Sequence, residues 1–131
     1  MSREGGEEKG QPFEIGPWRV EPGLDRLQRG SESVALEPRA MDLLVCLARR
    51  AGETVSKEAL LEEVWKGAFV VEGVIPKTLS ALRAALQDEA AHPTYILTVP
   101  RRGYRLIVPV RWLASAHPEL SGPRGSPNAL D

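Results

Sequence analysis

Apolar residues recur along this chain in distinct rhythms. From Phe13 to Leu36 they come in short pieces, Phe13-Glu14-Ile15, Trp18-Arg19-Val20, Leu24 to Leu27 and Val34-Ala35-Leu36, cut by Gly16-Pro17, Pro22-Gly23 and Gly30-Ser31. Short alternating pieces between turn residues predict a small antiparallel sheet. From Arg39 to Arg50 the spacing becomes helical, with Met41, Leu44, Val45 and Ala48 on one side. Pro38 suits a first helical turn and Gly52 suits a stop. A second helix is predicted from Ser56 to Trp65, with Ser56 as N-cap and Val55 and Leu60 spaced as a hydrophobic staple. After the irregular segment Lys66 to Glu72, a third helix is predicted from Val74 to Gln87, starting close to Pro76. Helical winding puts Ile75, Leu79, Leu82 and Leu86 in one stripe and Lys77, Ser80, Ala81, Ala84 and Asp88 opposite, with Arg83 on the border. Last come Tyr95 to Val99 and Tyr104 to Val108, two strand-like runs around Pro100-Arg101-Arg102-Gly103. They predict a hairpin tipped by two arginines, with Gly103 supplying the positive φ of the turn.

The organisation expected is a Gly- and Glu-rich lead-in over 1–12, one folded unit over 13–113 and a Pro-, Gly- and Ser-rich tether over 114–131. With 131 residues, 42% of them apolar, the chain can bury one core. It contains neither a membrane-length apolar run nor an apolar start of signal-peptide type, so a soluble cytoplasmic protein without membrane contact is expected. The single Cys46 excludes an internal disulfide and a multi-cysteine zinc site, and its apolar helical setting marks it as a core residue.

Net charge is −1, which by itself argues against a polyanionic partner. The average hides a step. Met1 to Glu72 carries ten basic and fourteen acidic residues, a balance of −4, whereas Gly73 to Arg111 carries six basic and two acidic, a balance of +4. Such a step fits a basic face, and it fits ordinary solvated charge as well.

Two short helices, a third with small outward residues, and an arginine-tipped hairpin directly after it make a winged helix-turn-helix. A helix fits the major groove and a basic β-turn can reach the neighbouring minor groove. Ser56-Lys57-Glu58 with Leu60-Leu61 and Val64-Trp65, then Leu82-Arg83 with Leu86, then Tyr95-Ile96 and Thr98-Val99-Pro100-Arg101-Arg102-Gly103-Tyr104-Arg105 closely resemble the OmpR/PhoB-type winged-helix family. The segment Val99 to Arg105 is most similar to the CadC/ToxR-like branch of bacterial transcription regulators. The resemblance covers Phe13 to about Val110 and implies an α+β fold, with a four-stranded amino-terminal antiparallel sheet, a three-helix core and a carboxy-terminal β-hairpin wing. It implies sequence-specific binding of double-stranded DNA for transcription regulation.

Carried over residue by residue, the resemblance makes Lys77, Ser80 and Ala81 base-reading positions in the major groove. Trp65, Arg83, Thr98, Tyr104 and Arg105 become phosphate contacts, and Arg101 and Arg102 the wing contacts at the minor groove. The bland alternatives are that Trp65 and Tyr104 are core aromatics and that Lys77 and Arg105 are solvated surface charges. Pro100 stands where relatives often have a minor-groove arginine, which shifts that contact to Arg101 or Arg102. The base-reading face of that helix also lacks the arginines frequent in the response-regulator branch. The segment Trp65 to Gly73 resembles the loop that some relatives present to RNA polymerase, and self-association on DNA is a further expectation. Twelve residues before Phe13 leave no space for a receiver domain, so signal input is expected outside this chain. The competing function is a winged helix used only for protein interaction, which would favour an exposed apolar patch over paired arginines on that face. No enzyme activity, cofactor or metal is expected, since His92 and His117 stand without a placed base, nucleophile or metal cluster.

Overall fold

The computed structural model describes residues 10–113. In chain order the elements are β1 (Phe13–Ile15), β2 (Trp18–Glu21), β3 (Arg26–Arg29), β4 (Glu32–Ala35), α1 (Pro38–Arg49), β5 (Thr54–Val55), α2 (Lys57–Val64), α3 (Val74–Leu86), β6 (Ile96–Val99), β7 (Gly103–Leu106) and β8 (Arg111–Trp112). Residues 1–9 of the expected lead-in and the whole expected tether lie outside the described residues. Gln11 and Pro12, assigned to the lead-in, are held in place. The Gln11 side-chain amide donates to the Leu113 carbonyl at 3.3 Å and the Leu113 N–H donates to the Pro12 carbonyl at 2.9 Å.

The amino-terminal sheet forms as its alternation predicts, with Phe13, Ile15, Trp18, Val20 and Leu27 inward and fully buried. It has five strands, not four, in the order β4-β3-β2-β1-β8. β8 returns from the other end of the chain to pair antiparallel with β1, setting Trp112 opposite Phe13 with ring centroids 4.8 Å apart. A two-residue strand has too little sequence for a pattern, and its pairing is entirely non-local. Leu24, read as the start of a strand, instead ends a 3-10 turn over Pro22–Leu24 and is exposed, so β3 starts at Arg26. Proline at the head of that turn presets its φ.

α1 is central. Ala40, Met41 and every residue from Leu43 to Ala48 are buried, so the helix is covered nearly all round, packing against α2, α3 and β7. It stops before Gly52, because the last turn tightens through Arg50 N–H to Leu47 O and Ala51 N–H to Ala48 O. Gly52 instead donates to the Leu106 carbonyl at 3.1 Å, which attaches this loop to the hairpin. Cys46 lies in the core as expected, its thiol donating to Glu63 Oε1 at 3.3 Å. Burial first, then the adjacent Glu63 carboxylate, push that thiol up to about 12, so it stays protonated and unreactive at neutral pH.

α2 starts as its sequence predicts, Ser56 Oγ accepting from the Ala59 N–H at 3.0 Å, a cap worth about 1 kcal/mol. Both staple residues, Val55 and Leu60, are buried. In α3 the predicted stripe of Ile75, Leu79, Leu82 and Leu86 is the buried face. The hairpin is part of a three-stranded sheet, β5-β7-β6, because Thr54 and Val55 pair with Arg105 and Tyr104. Through β5 the wing is joined to the start of α2 as well as to the end of α3.

Candidate nucleic-acid interface

The outward face of α3 carries Lys77, Ser80, Ala81 and Ala84, all exposed or partly so, with Arg83 half-buried at its border. Lys77 is its only cation apart from Arg83, and the small side chains around it leave the backbone open to close approach. The helix is anchored at its carboxy-terminal end. Gln87 takes a left-handed backbone (φ +61), its N–H donates to Ala84 O, and the Asp88 N–H donates to Arg83 O at 2.8 Å. These two bonds satisfy carbonyls that would otherwise be orphaned at the helix end. Trp18 reaches the same end from β2, its indole N–H donating to the Leu86 carbonyl at 3.2 Å, while the Arg29 guanidinium lies 4.4 Å over the Trp18 ring and donates to Gln87 Oε1. The amino-terminal sheet thereby fixes the orientation of α3.

The wing is tied to α3 by two side chains. Arg83 Nη2 donates to the Ile96 carbonyl at 2.8 Å and to Thr98 Oγ1 at 3.0 Å. The Asp88 carboxylate accepts from the backbone N–H groups of Thr94 (2.7 Å), Tyr95 (3.3 Å) and Ile96 (3.0 Å). Asp88 therefore holds the start of β6 against the end of α3. Sequence reading placed it only on the outer face of the helix, because acceptance by residues across a loop leaves no periodic signal. Asp88→Ala is expected to lower stability by about 1–3 kcal/mol, the range for hydrogen bonds to a charged group whose donors are left unpaired. Asp88→Asn should restore part of that through its remaining carbonyl oxygen. Urea unfolding at constant m-value is the measurement, and a loss under about 0.5 kcal/mol for the alanine variant would show that water serves the three donors equally well.

The structure divides the expected phosphate contacts. Arg83 and Thr98 are bonded to each other, and Thr98 faces Tyr104 across the β6–β7 ladder, so these three form one group. Arg105 pairs with Leu97 and Thr54 in the next register position, which turns its side chain to the opposite face of the wing sheet. Arg105 is half-buried, and its Nε is buried without a partner, as is that of Arg83. Trp65 and Tyr104 are core residues, 5% and 6% exposed, so either meets a phosphate by an edge at most. A phosphate contact by Arg83 has to be made by a guanidinium already anchored to the wing strand.

At the hairpin tip Arg101 and Arg102 are both exposed. The turn spans Val99 to Arg102, closed by the Arg102 N–H donating to Val99 O at 2.9 Å. Arg101 within the turn takes a left-handed backbone (φ +65), and Gly103 directly after the turn has the positive φ (+149) that the sequence suggested. Gly103 also allows a close backbone approach, since a Cβ there would lie 1.9 Å from the Val55 carbonyl oxygen.

Residues 30–106 match the family described as transcriptional regulatory protein, C terminal. The chain belongs to this family. It is 40% identical over 120 residues to the transcriptional activator CadC of Escherichia coli K12, a match covering 88% of this chain and 23% of CadC. To the transcriptional regulator HilA of Salmonella typhimurium it is 39% identical over 84 residues, covering 64% of this chain and 15% of HilA. The chain thus spans less than a quarter of the length of these two curated relatives. Among solved structures, the DNA-binding domain of E. coli CadC superposes with a TM-score of 0.71 at 39% identity, covering 80% of this chain and 99% of that one. The Klebsiella pneumoniae RstA DNA-binding domain, solved in complex with the RstA box, gives 0.65 at 30% identity, covering 73% and 96%. The OmpR/PhoB-type, CadC-like assignment and the α+β winged-helix fold expected from the sequence are borne out, and the chain is a domain of the transcription-regulator type. Among the described residues no helix is long and apolar enough to cross a membrane.

Proposed function

We propose that α3 enters the major groove with Lys77, Ser80 and Ala81 toward the base edges, while the Arg101–Arg102 tip lies at the adjacent minor groove. The observation that supports this reading most is the rigid link between the two, in which Arg83 and Asp88 join the exposed face of α3 to the strand that leads to the arginine tip. Helix and wing then meet the duplex as one preset surface. Arg83, Thr98 and Tyr104 serve the phosphate between them, and Arg105 acts in the wing sheet instead. Reading chromosomal DNA places the domain in the cytoplasm of a bacterial cell, where it binds and positions without performing catalysis.

A second surface belongs to the segment between α2 and α3. Phe69 is fully exposed and Val71 nearly so, beside an open cleft of about 390 Å³ lined by Leu61, Val70, Val74, Ile75 and Pro76. Exposed apolar residues at that density favour a protein contact, and RNA polymerase is the partner this reading assigns to it. Self-association on DNA would use the same module side by side on repeated sites.

Selection of bound sequences from a random duplex library tests the DNA reading. Lys77→Ala is expected to relax preference at one base pair by about 1–3 kcal/mol while the fold is retained. A selected motif identical to the parent's would make Lys77 a solvated charge.

A further inference from the structure

The carboxy-terminal end of α3 is held from β2 and β3 at two consecutive residues. The buried Trp18 indole donates to the Leu86 carbonyl at 3.2 Å, and Arg29 Nη2 donates to the side-chain oxygen Oε1 of Gln87 at 2.7 Å. One attachment would leave the helix free to swivel about it, whereas two set its rotation as well as its tilt. Gln87 takes a left-handed backbone (φ +61) at the helix end, a position that favours glycine because glycine has no Cβ. Glutamine stands there instead, and its side chain is in use. Arg29 is itself fixed on two other sides, since its Nε and Nη2 donate to Glu32 Oε1 at 3.2 and 2.8 Å and its guanidinium lies 4.4 Å over the Trp18 ring. Asp88, next in the chain, holds the start of β6 through backbone N–H groups. The junction that sets the rotation of α3 therefore also sets where the wing begins. The opposite end of α3 starts at Gly73, which has no side chain to cap it.

We propose that Arg29 and Gln87 are positioning residues for sequence discrimination, their bond setting the rotation of α3 and with it the angle at which Lys77, Ser80 and Ala81 meet the base edges. The proposal rests on the DNA reading above. Neither residue belongs to the outward face of α3 or to the hairpin tip, so both act through the helix and not on the duplex. Hydrogen bonds to base edges weaken steeply when donor and acceptor are misaligned, while attraction to phosphates is indifferent to sequence. A small rotation of α3 thus costs discrimination and spares the sequence-independent part of binding.

The test uses the whole chain, thermal unfolding, and Kd for two duplexes of equal length, the one selected for the parent and an unrelated one. Q87G removes the acceptor while glycine accepts the left-handed backbone, so Tm should stay within about 5 °C of the parent's. Preference for the selected duplex over the unrelated one should fall about 3- to 10-fold, part of what a good base contact supplies. Affinity for the unrelated duplex and its salt slope should not change. R29K keeps the charge but not the planar fork that spans Glu32 and Gln87, and should lose about as much preference. Because both residues act through one bond, the double variant should fall no more than about twofold below either single variant. Parental preference in a variant that keeps its Tm, affinity for the unrelated duplex that falls as far as that for the selected one, single losses that multiply in the double variant, or a Tm more than about 5 °C below the parent's in both single variants would each overturn the proposal. A parent chain that selects no duplex at all would sink the underlying DNA reading instead.

Discussion

Gly103→Ala is expected to destabilise the domain by at least about 3 kcal/mol, more than any substitution on the exposed face of α3 or at the hairpin tip. The added Cβ would stand 1.9 Å from Val55 O, 2.7 Å from Val55 C and 2.9 Å from Ser56 Cα. All three are backbone atoms, so no flexible side chain can swing aside. The φ of +149 adds strain that an L side chain rarely tolerates. Relief requires β5 to separate from β7, and β5 carries the Ser56 cap of α2 at its end, so the damage reaches the helix-turn-helix. For a domain with a net stability of about 5–15 kcal/mol, such a loss leaves a small margin. Thermal unfolding should fall by on the order of 15 °C, with DNA binding reduced in proportion to the folded fraction. A midpoint within about 3 °C of the parent's would show that β5 and β7 can part without disturbing α2.

The role of Gly103 illustrates where sequence reading stops. A glycine beside Pro-Arg-Arg reads as a turn residue, because turn chemistry is local and close approach to a distant backbone is not. The same division holds elsewhere. The stripe of α3, the Ser56 cap, the amino-terminal hairpins and the arginine tip were legible, since each is written in neighbouring residues. β8, the β5–β7 pairing, the Asp88 carboxylate across its loop and the Trp18 indole on the end of α3 were not, since each depends on contacts that no local pattern announces. Recognition of the family carried the DNA-binding assignment further than the residues alone. It also grouped Arg105 with Arg83, Thr98 and Tyr104, which the strand register separates.

Replacing Arg101 and Arg102 together by alanine should produce the opposite signature, a large loss of DNA affinity with the fold intact. Both side chains are exposed at the tip, where a charge contributes little to the packing of the core. Their removal should change stability by no more than about 0.5 kcal/mol. Alanine at Arg101 keeps a Cβ and hence the left-handed strain, so no compensating gain is expected there. On DNA, each phosphate neutralised by a cation contributes about 0.9 to the slope of log K against log salt, through release of condensed counterions. Two tip cations at a minor groove should therefore lower the slope by about 1–2 units, which near 0.1 M salt amounts to roughly 10- to 100-fold in affinity. Phosphate and groove-shape contacts carry little base identity, so all sequences should weaken together and the selected consensus should hardly move. Lys77→Ala should do the reverse, shifting preference at one base pair. Titrations at several salt concentrations with the parent, the double variant and Lys77→Ala separate the two contributions. If the double variant keeps both the parental affinity and the parental slope, the wing does not touch DNA, and the hairpin becomes a candidate for the protein-interaction role instead.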